Sequence, residues 1–376
     1  MSGDLLGLVT SRQLIVCVGP GGVGKTTTAA AMALSAAQAG RKVALLTIDP
    51  ARRLADALGL DGLDDTLRPV AVRGGGSLHA AMLDVQSSAD ALVQRVAPSP
   101  EVAARLLENR VYQAFAATLS RSHAYVAMER LFDILDRGGF DLVVLDTPPA
   151  RNAIEILDAP GRLARFLDAQ VIGRFLHPGA GVLQRWLPVG REAATRVLSA
   201  IVGRDFARDI VEFLGIFAEL REGFVSRAGR IHTHLRAPST AFALVSSARD
   251  THLDDAAHIY ESLKGRDVPL AAAIFNRSYT PELSAGDHPS PSARLAALWP
   301  QGEAPEGAAQ ALAALAHLRD SVIAEDGRAL LAIRRFAEGL DPGCLVTRLP
   351  ERRADIQDLG YLAQLIADAR GISSKD

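Results

Sequence analysis

Nine consecutive residues, Gly19-Pro20-Gly21-Gly22-Val23-Gly24-Lys25-Thr26-Thr27, carry the most specific chemistry in the sequence. Gly19, Gly24, Lys25 and Thr26 fit the spacing G-x-x-x-x-G-K-[ST]. Glycines at this density let the backbone curl until several N–H groups converge on one phosphate group. A helix beginning after them adds the positive end of its dipole. Lys25 supplies a compact charge for the β and γ phosphates, and the Thr26 hydroxyl suits a magnesium ion. Only four of the 41 basic residues are lysines, so a lysine inside a glycine loop stands out against the arginine background. The bland alternative is a glycine turn with an incidental lysine. The apolar run before the loop and the alanine-rich helix after it argue against that.

Two aspartates belong to the same chemistry. Asp49 follows the apolar run Val43 to Ile48 and precedes Pro50. A carboxylate at the carboxyl end of a parallel strand overlooks a nucleotide crevice. Two functional roles are open to Asp49: orienting a water for in-line attack on the γ phosphate, or binding magnesium through water. A turn or helix cap is the structural alternative, because Asp before Pro favours both. Asp146 ends the run Leu142-Val143-Val144-Leu145 and fits the Walker B pattern, an apolar strand closing on an aspartate near magnesium.

The elements that must position these residues follow from the apolar pattern. Leu14 to Val18, Lys42 to Ile48, Leu78 to Val85, Asp141 to Leu145, Ala241 to Ser247, Leu270 to Phe275 and Cys344 to Thr347 read as buried strands. Helices are expected over Thr26 to Ala39, from Leu54, over Ala308 to Ile323 and Gly327 to Phe336, and over Ile356 to Ala367. Residues 86–140 and 153–236 read as mostly helical. The segment 278–306 is rich in Pro, Ser and Gly and is expected to be a flexible loop. The predicted fold is α/β: one domain over residues 1–376, a doubly wound, mostly parallel sheet of the P-loop NTPase type, with an inserted α-helical subdomain.

Composition narrows the function classes. The formal net charge of −2 gives no global electrostatic case for a nucleic-acid partner. The two cysteines, Cys17 and Cys344, each sit in an apolar run and read as reduced core thiols. The first ten residues lack the pattern of a signal peptide, and no apolar run approaches the ~20 residues of a membrane span. A cytoplasmic protein is expected, with membrane contact only through a partner.

The three segments together resemble the ArsA branch of deviant P-loop ATPases, which includes the ATPase of the GET pathway. The loop matches G-K-G-G-V-G-K-T-T except at Pro20. Ile48-Asp49-Pro50-Ala51-Arg52-Arg53-Leu54-Ala55-Asp56-Ala57 resembles the family's switch I, and Asp146-Thr147-Pro148-Pro149-Ala150-Arg151-Asn152 its switch II. Asn276, after an apolar strand, resembles the family's adenine-contacting asparagine. The likeness is greatest to a bacterial subgroup of paired, non-identical subunits.

The resemblance implies an ATPase that binds ATP and Mg2+. Asp49 would position the attacking water, Thr26 would bind magnesium with Asp146 nearby, and Asn276 would read the adenine. Leu349 and Pro350 would line the same pocket. It also implies a homodimer or heterodimer with another ArsA-like subunit, driven as a conformational switch on an unidentified protein client.

Pro20 departs from the pattern. The family's lysine at that position reaches the partner's phosphates, and proline has neither charge nor N–H. Arg53 would substitute as a phosphate contact, or a different subunit would supply the lysine. The Cys-x-x-Cys of the GET-pathway ATPase is absent, so no zinc is expected, and the arsenite-binding cysteines are absent too. A targeting factor for tail-anchored proteins and the ATPase subunit of an anion efflux system are the alternative functions. Apolar residues of the helical blocks, Phe166, Trp186 and Phe213 among them, would either line a client groove or form the helical core.

Overall fold

Leu14–Val18 (β1) is buried at every position, as a strand covered on both faces must be. The strand lies at the centre of a nine-stranded sheet in a computed structural model. The model describes residues 4–48, 53–83, 90, 93–94, 97, 99–113, 123–148, 204–279, 289–300, 304–351 and 359–372. The other strands are β2 (Lys42–Thr47), β3 (Arg68–Val70), β4 (Ser77–Met82), β5 (Leu142–Asp146), β6 (Thr240–Ser246), β7 (Leu270–Phe275), β8 (Leu345–Arg348) and β9 (Arg370–Gly371). Their order is β3-β4-β2-β5-β1-β6-β7-β8-β9. The seven inner strands are parallel, while β3 and β9 pair antiparallel at the two edges. The fold is therefore the expected α/β, mostly parallel sheet.

Alternation along β1 divides the core in two. Leu14, Val16 and Val18 face one apolar layer, together with Leu46, Leu145 and Phe242. Met128, Leu131 and Phe132 of α5 (His123–Arg137) and Ile231 and Leu235 of α6 (Arg204–Arg236) cover it. Ile15 and Cys17 face the other layer, under α2 (Lys25–Gln38), α1 (Leu5–Ser11) and α10 (Leu359–Ala367). Ala29 to Ala33 of α2 are wholly buried. Small side chains on every face let this helix lie between the sheet and α10, which a bulkier helix could not do. Phe213 is also buried in the first layer, so it belongs to the core and not to an open groove.

The described part of the inserted helices is tied to itself by polar contacts. α4 (Pro100–Glu108) ends at Asn109, whose Nδ2 donates to the Asp209 carbonyl of α6 at 2.9 Å. Asp133 of α5 is 5% exposed and sits among Arg130, Arg137 and Arg227 at 3.3–3.7 Å. Three guanidinium groups around one carboxylate supply the pairing that a buried charge requires. The expected helical stretch over residues 153–203 lies outside the described residues. Among the described residues no helix is long and apolar enough to cross a membrane.

Three sequence expectations differ from the structure. Within the expected loop 278–306, Pro291–Leu298 forms a helix (α8), started by the Ser290 hydroxyl accepting from the Ala293 N–H at 3.2 Å. Ser followed by Pro is a helix-start signal as much as a turn signal, and here it acts as the first. One helix, α9 (Ala308–Glu338), replaces the expected pair and runs through Gly327. An interior glycine costs only about 1 kcal/mol, too little to break a run of good helix formers. The edge strands β3 and β9 were not foreseen, being too short to show a period.

Both cysteines are free thiols, Cys17 buried and Cys344 partly buried. Cys17 is fully buried in β1, and burial, reinforced by the negative charge of Asp146, raises its pKa well above the usual range. Burial likewise pushes Cys344 up to about 12. The thiolate is the reactive form. Iodoacetamide at pH 8 should therefore leave Cys17 unlabelled in the native protein and label both cysteines in guanidinium, as read by intact mass. Rapid native labelling of Cys17 would show that β1 is not closed over.

Candidate functional site

The loop after β1 leaves the sheet where the chain order reverses, between β5 and β6, the position at which open parallel sheets bind ligands. Its curl depends on glycine at two points. Gly19 has φ +155°, and a Cβ there would run into the Val245 carbonyl of β6. Gly24 has φ +89° and is the N-cap of α2. Gly21 and Gly22 are exposed, whereas Pro20 and Val23 are buried. The loop thus presents backbone rather than side chains to solvent.

Lys25 turns back into this curl. Its Nζ donates to the Pro20 carbonyl at 2.7 Å and the Gly19 carbonyl at 3.1 Å, and the residue is 7% exposed. An ammonium held inside a loop of N–H donors at a helix N-terminus makes a strong anion site. Thr26 and Thr27, the next two residues of α2, are half-buried.

Asp146 closes the other side. The register that pairs Cys17 with Asp146 and Thr47 with Asp146 puts the ends of β1, β5 and β2 level. The Asp146 Oδ2 accepts from the Thr26 hydroxyl at 2.7 Å and from the Thr47 hydroxyl at 3.0 Å. Asp146 and Thr47 are buried. The next residue, Thr147, donates its hydroxyl to the Cys17 carbonyl at 2.6 Å, tying the end of β5 to β1. Hard oxygen donors on Thr26 and Asp146, within hydrogen-bond reach of each other beside a phosphate loop, fit magnesium, which takes few protein ligands and the rest from phosphate and water. Thr47 was missed in the sequence, although it sits in the segment that singled out Asp49. Its only signal was a hydroxyl ending an otherwise apolar strand.

Beyond the loop lies a cavity of about 630 Å³, within the usual range for small-molecule sites. Gly22 and Val23 form its near wall. Ser247 and Arg249 follow β6, His252 lies in α7 (Asp250–Lys264), and Arg277 and Ser278 follow β7. Asp326, Arg328 and Ala329 of α9 form the far wall. His252 Nδ1 lies 2.7 Å from the Ser247 hydroxyl. Arg277 holds φ +53°, a conformation that side-chain-bearing residues adopt rarely.

The remaining site residues fall in different places. Asn276 is buried beside the phosphate loop, with its Nδ2 donating to the Val23 carbonyl at 3.0 Å. Leu349 is wholly buried and Pro350 is buried, while Glu351 reaches the cavity wall. Arg53 opens α3 (Arg53–Leu58). Asp49 lies outside the described residues, two positions beyond the end of β2. Among the described residues no group of three or more His, Cys, Asp or Glu is placed to hold a metal.

The family described as anion-transporting ATPase matches residues 12–295, from the start of β1 into α8. The chain belongs to the anion-transporting ATPase family. An arsenical pump-driving ATPase of Acidiphilium multivorum is 26% identical over 223 residues, covering 58% of this chain and 36% of that protein. The ATPase GET3 of Malassezia globosa is 26% identical over 195 residues, 51% of this chain and 56% of its own length. An uncharacterized protein of Streptomyces coelicolor is 31% identical over 210 residues, 51% of this chain and 44% of its own. The chain thus spans between about a third and just over half of the length of these relatives. The family match takes in the phosphate loop, Asp146 and Asn276, and ends before α9.

Thr47→Val keeps the shape of the side chain and removes its hydrogen bond to a buried carboxylate. Urea denaturation should show a loss of about 1.5–3 kcal/mol, the range for hydrogen bonds to charged groups. A change below about 0.5 kcal/mol would mean that the Thr47 hydroxyl contributes little to holding Asp146.

Proposed function

We propose that this member of the anion-transporting ATPase family hydrolyses Mg-ATP and acts as a switch on a protein partner, in a dimer with a second ATPase subunit of the same family. The observation that carries the nucleotide part is the cluster at the end of β1: Lys25 folded inside a glycine loop, with Thr26 at 2.7 Å from the Asp146 carboxylate.

The chain's own groups divide the work. The loop N–H groups and Lys25 hold the β and γ phosphates, Lys25 exchanging its carbonyl partners for phosphate oxygens. Thr26 and Asp146 would hold magnesium, with Thr47 keeping the carboxylate in place. Magnesium, when bound, neutralises charge on the phosphates. Asp49 orients a water in line with the γ phosphorus. The water oxygen forms the new P–O bond, the bond to the bridging oxygen breaks, and ADP leaves with that electron pair. Both hydrogens of the water end on the released phosphate.

Pro20 supports the dimeric part of the reading. It is buried and offers only its carbonyl, which Lys25 occupies. A charge from outside the chain would complete the site, either a lysine of a non-identical subunit or Arg53 of a second copy. We favour the non-identical subunit. The narrower reading as a targeting factor for tail-anchored membrane proteins rests on the family resemblance. The reading as an arsenical efflux subunit is the weaker one. Cys17 in β1 and Cys344 beside β8 are separated by β6 and β7, about 14 Å at strand spacing. Two thiols that far apart cannot hold one ion. A cytoplasmic location belongs to the same reading.

Phosphate-release assays test the chemistry. Lys25→Ala should lower turnover by about 10²–10³-fold. Asp49→Asn should lower it by a similar factor, about 10²–10⁴-fold, with Mg-ATP affinity retained. Unchanged turnover in Asp49→Asn would remove that residue from the mechanism. The assembly is read by light scattering: the purified chain should remain monomeric with ATP and turn over slowly. A stable ATP-dependent homodimer with full turnover would exclude the need for a second kind of subunit.

A further inference from the structure

Asn276 stands at the end of β7, two strands away from the phosphate loop, yet its side chain reaches that loop. Its backbone N–H donates to the Ser246 carbonyl at 2.8 Å, which fixes its height above the end of β6. Its Oδ1 accepts from the Arg277 N–H at 3.0 Å, and its Nδ2 donates to the Val23 carbonyl at 3.0 Å. The residue is 5% exposed. Both ends of the carboxamide are therefore committed to backbone, one to the turn at the cavity wall and one to the loop.

The bond to Val23 matters because of what a peptide plane does. In a trans peptide the carbonyl and the following N–H point in opposite directions. Holding the Val23 carbonyl toward Asn276 turns the Gly24 N–H away from it. Gly24 itself is kept at φ +89°, and a Cβ on it would fall well inside contact with the Asn276 Nδ2. The same carboxamide thus dictates the orientation of the last peptide before Lys25 and leaves no space for a side chain there.

We propose that Asn276 is a positioning residue for phosphate binding: its carboxamide clamps the Val23–Gly24 peptide so that the Gly24 N–H faces the phosphates. This rests on the nucleotide reading above and differs from a role in reading the base. A base reader acts only on ligands that carry a base. A clamp on the loop acts on any ligand with the polyphosphate.

Inorganic tripolyphosphate separates the two. Mg-ATP and Mg-tripolyphosphate are titrated calorimetrically into the full chain, as wild type, Asn276→Ala and Asn276→Ser. The serine variant is included in case the alanine variant does not fold, and circular dichroism verifies both. Wild type should bind both ligands, and each variant should lose affinity for both by the same factor, about tenfold for one lost hydrogen bond. Hydrogen exchange should quicken at Gly24 and Lys25 while the amides of β1 and β7 keep their protection, which general destabilisation would not produce. Weakened ATP binding with unchanged tripolyphosphate binding would overturn the proposal in favour of base reading. Unchanged binding of both would overturn it outright. A wild-type chain that bound neither ligand would overturn the nucleotide reading and this proposal with it.

Discussion

The Asp146 carboxylate is the charge on which the arrangement turns. It is buried at the end of the central sheet, where an unpartnered carboxylate would be very unfavourable. Two hydroxyls make it tolerable, one from the first turn of α2 and one from the end of β2. Those hydroxyls reach the same oxygen only because β1, β5 and β2 end level in one parallel register. Any slip of one strand by a residue would reverse its faces and remove the partner. The core on both sides of the sheet, with its wholly buried alternating side chains, holds that register. Packing far from the site therefore has a direct electrostatic reason to be tight.

Much of this was legible in the residues. The inner strands were readable because a strand buried on both faces is a short unbroken apolar run, and Leu14 to Val18 and Leu142 to Leu145 are such runs. The phosphate loop was readable because backbone curl demands glycine at fixed places. What escaped notice has a common cause. Thr47 is a polar residue serving another polar residue 99 positions later, and no local pattern records such a pair. The bond from Asn276 to Val23 spans 253 positions and is invisible for the same reason. α8 and α9 were misjudged because Pro, Ser and Gly signal both turns and helix boundaries, and only the neighbours decide which.

Pro20 gives the loop a split character. Its ring removes a donor and a charge from a loop otherwise built of donors, yet its carbonyl is a good seat for Lys25. The substitution leaves the internal geometry of the site intact and changes what the site presents outward. A chain with this residue keeps the glycine curl and the seat for Lys25, and presents no side-chain charge at this position.

The cavity beside the loop is built from two kinds of wall. The near wall is the glycine loop and the turns after β6 and β7, which the family match includes. The far wall is α9, a 31-residue helix that begins beyond that match. Asp326, Arg328 and Ala329 line the cavity from a helix outside the loop. Such a division leaves the geometry of the loop and the shape of the cavity to separate parts of the chain.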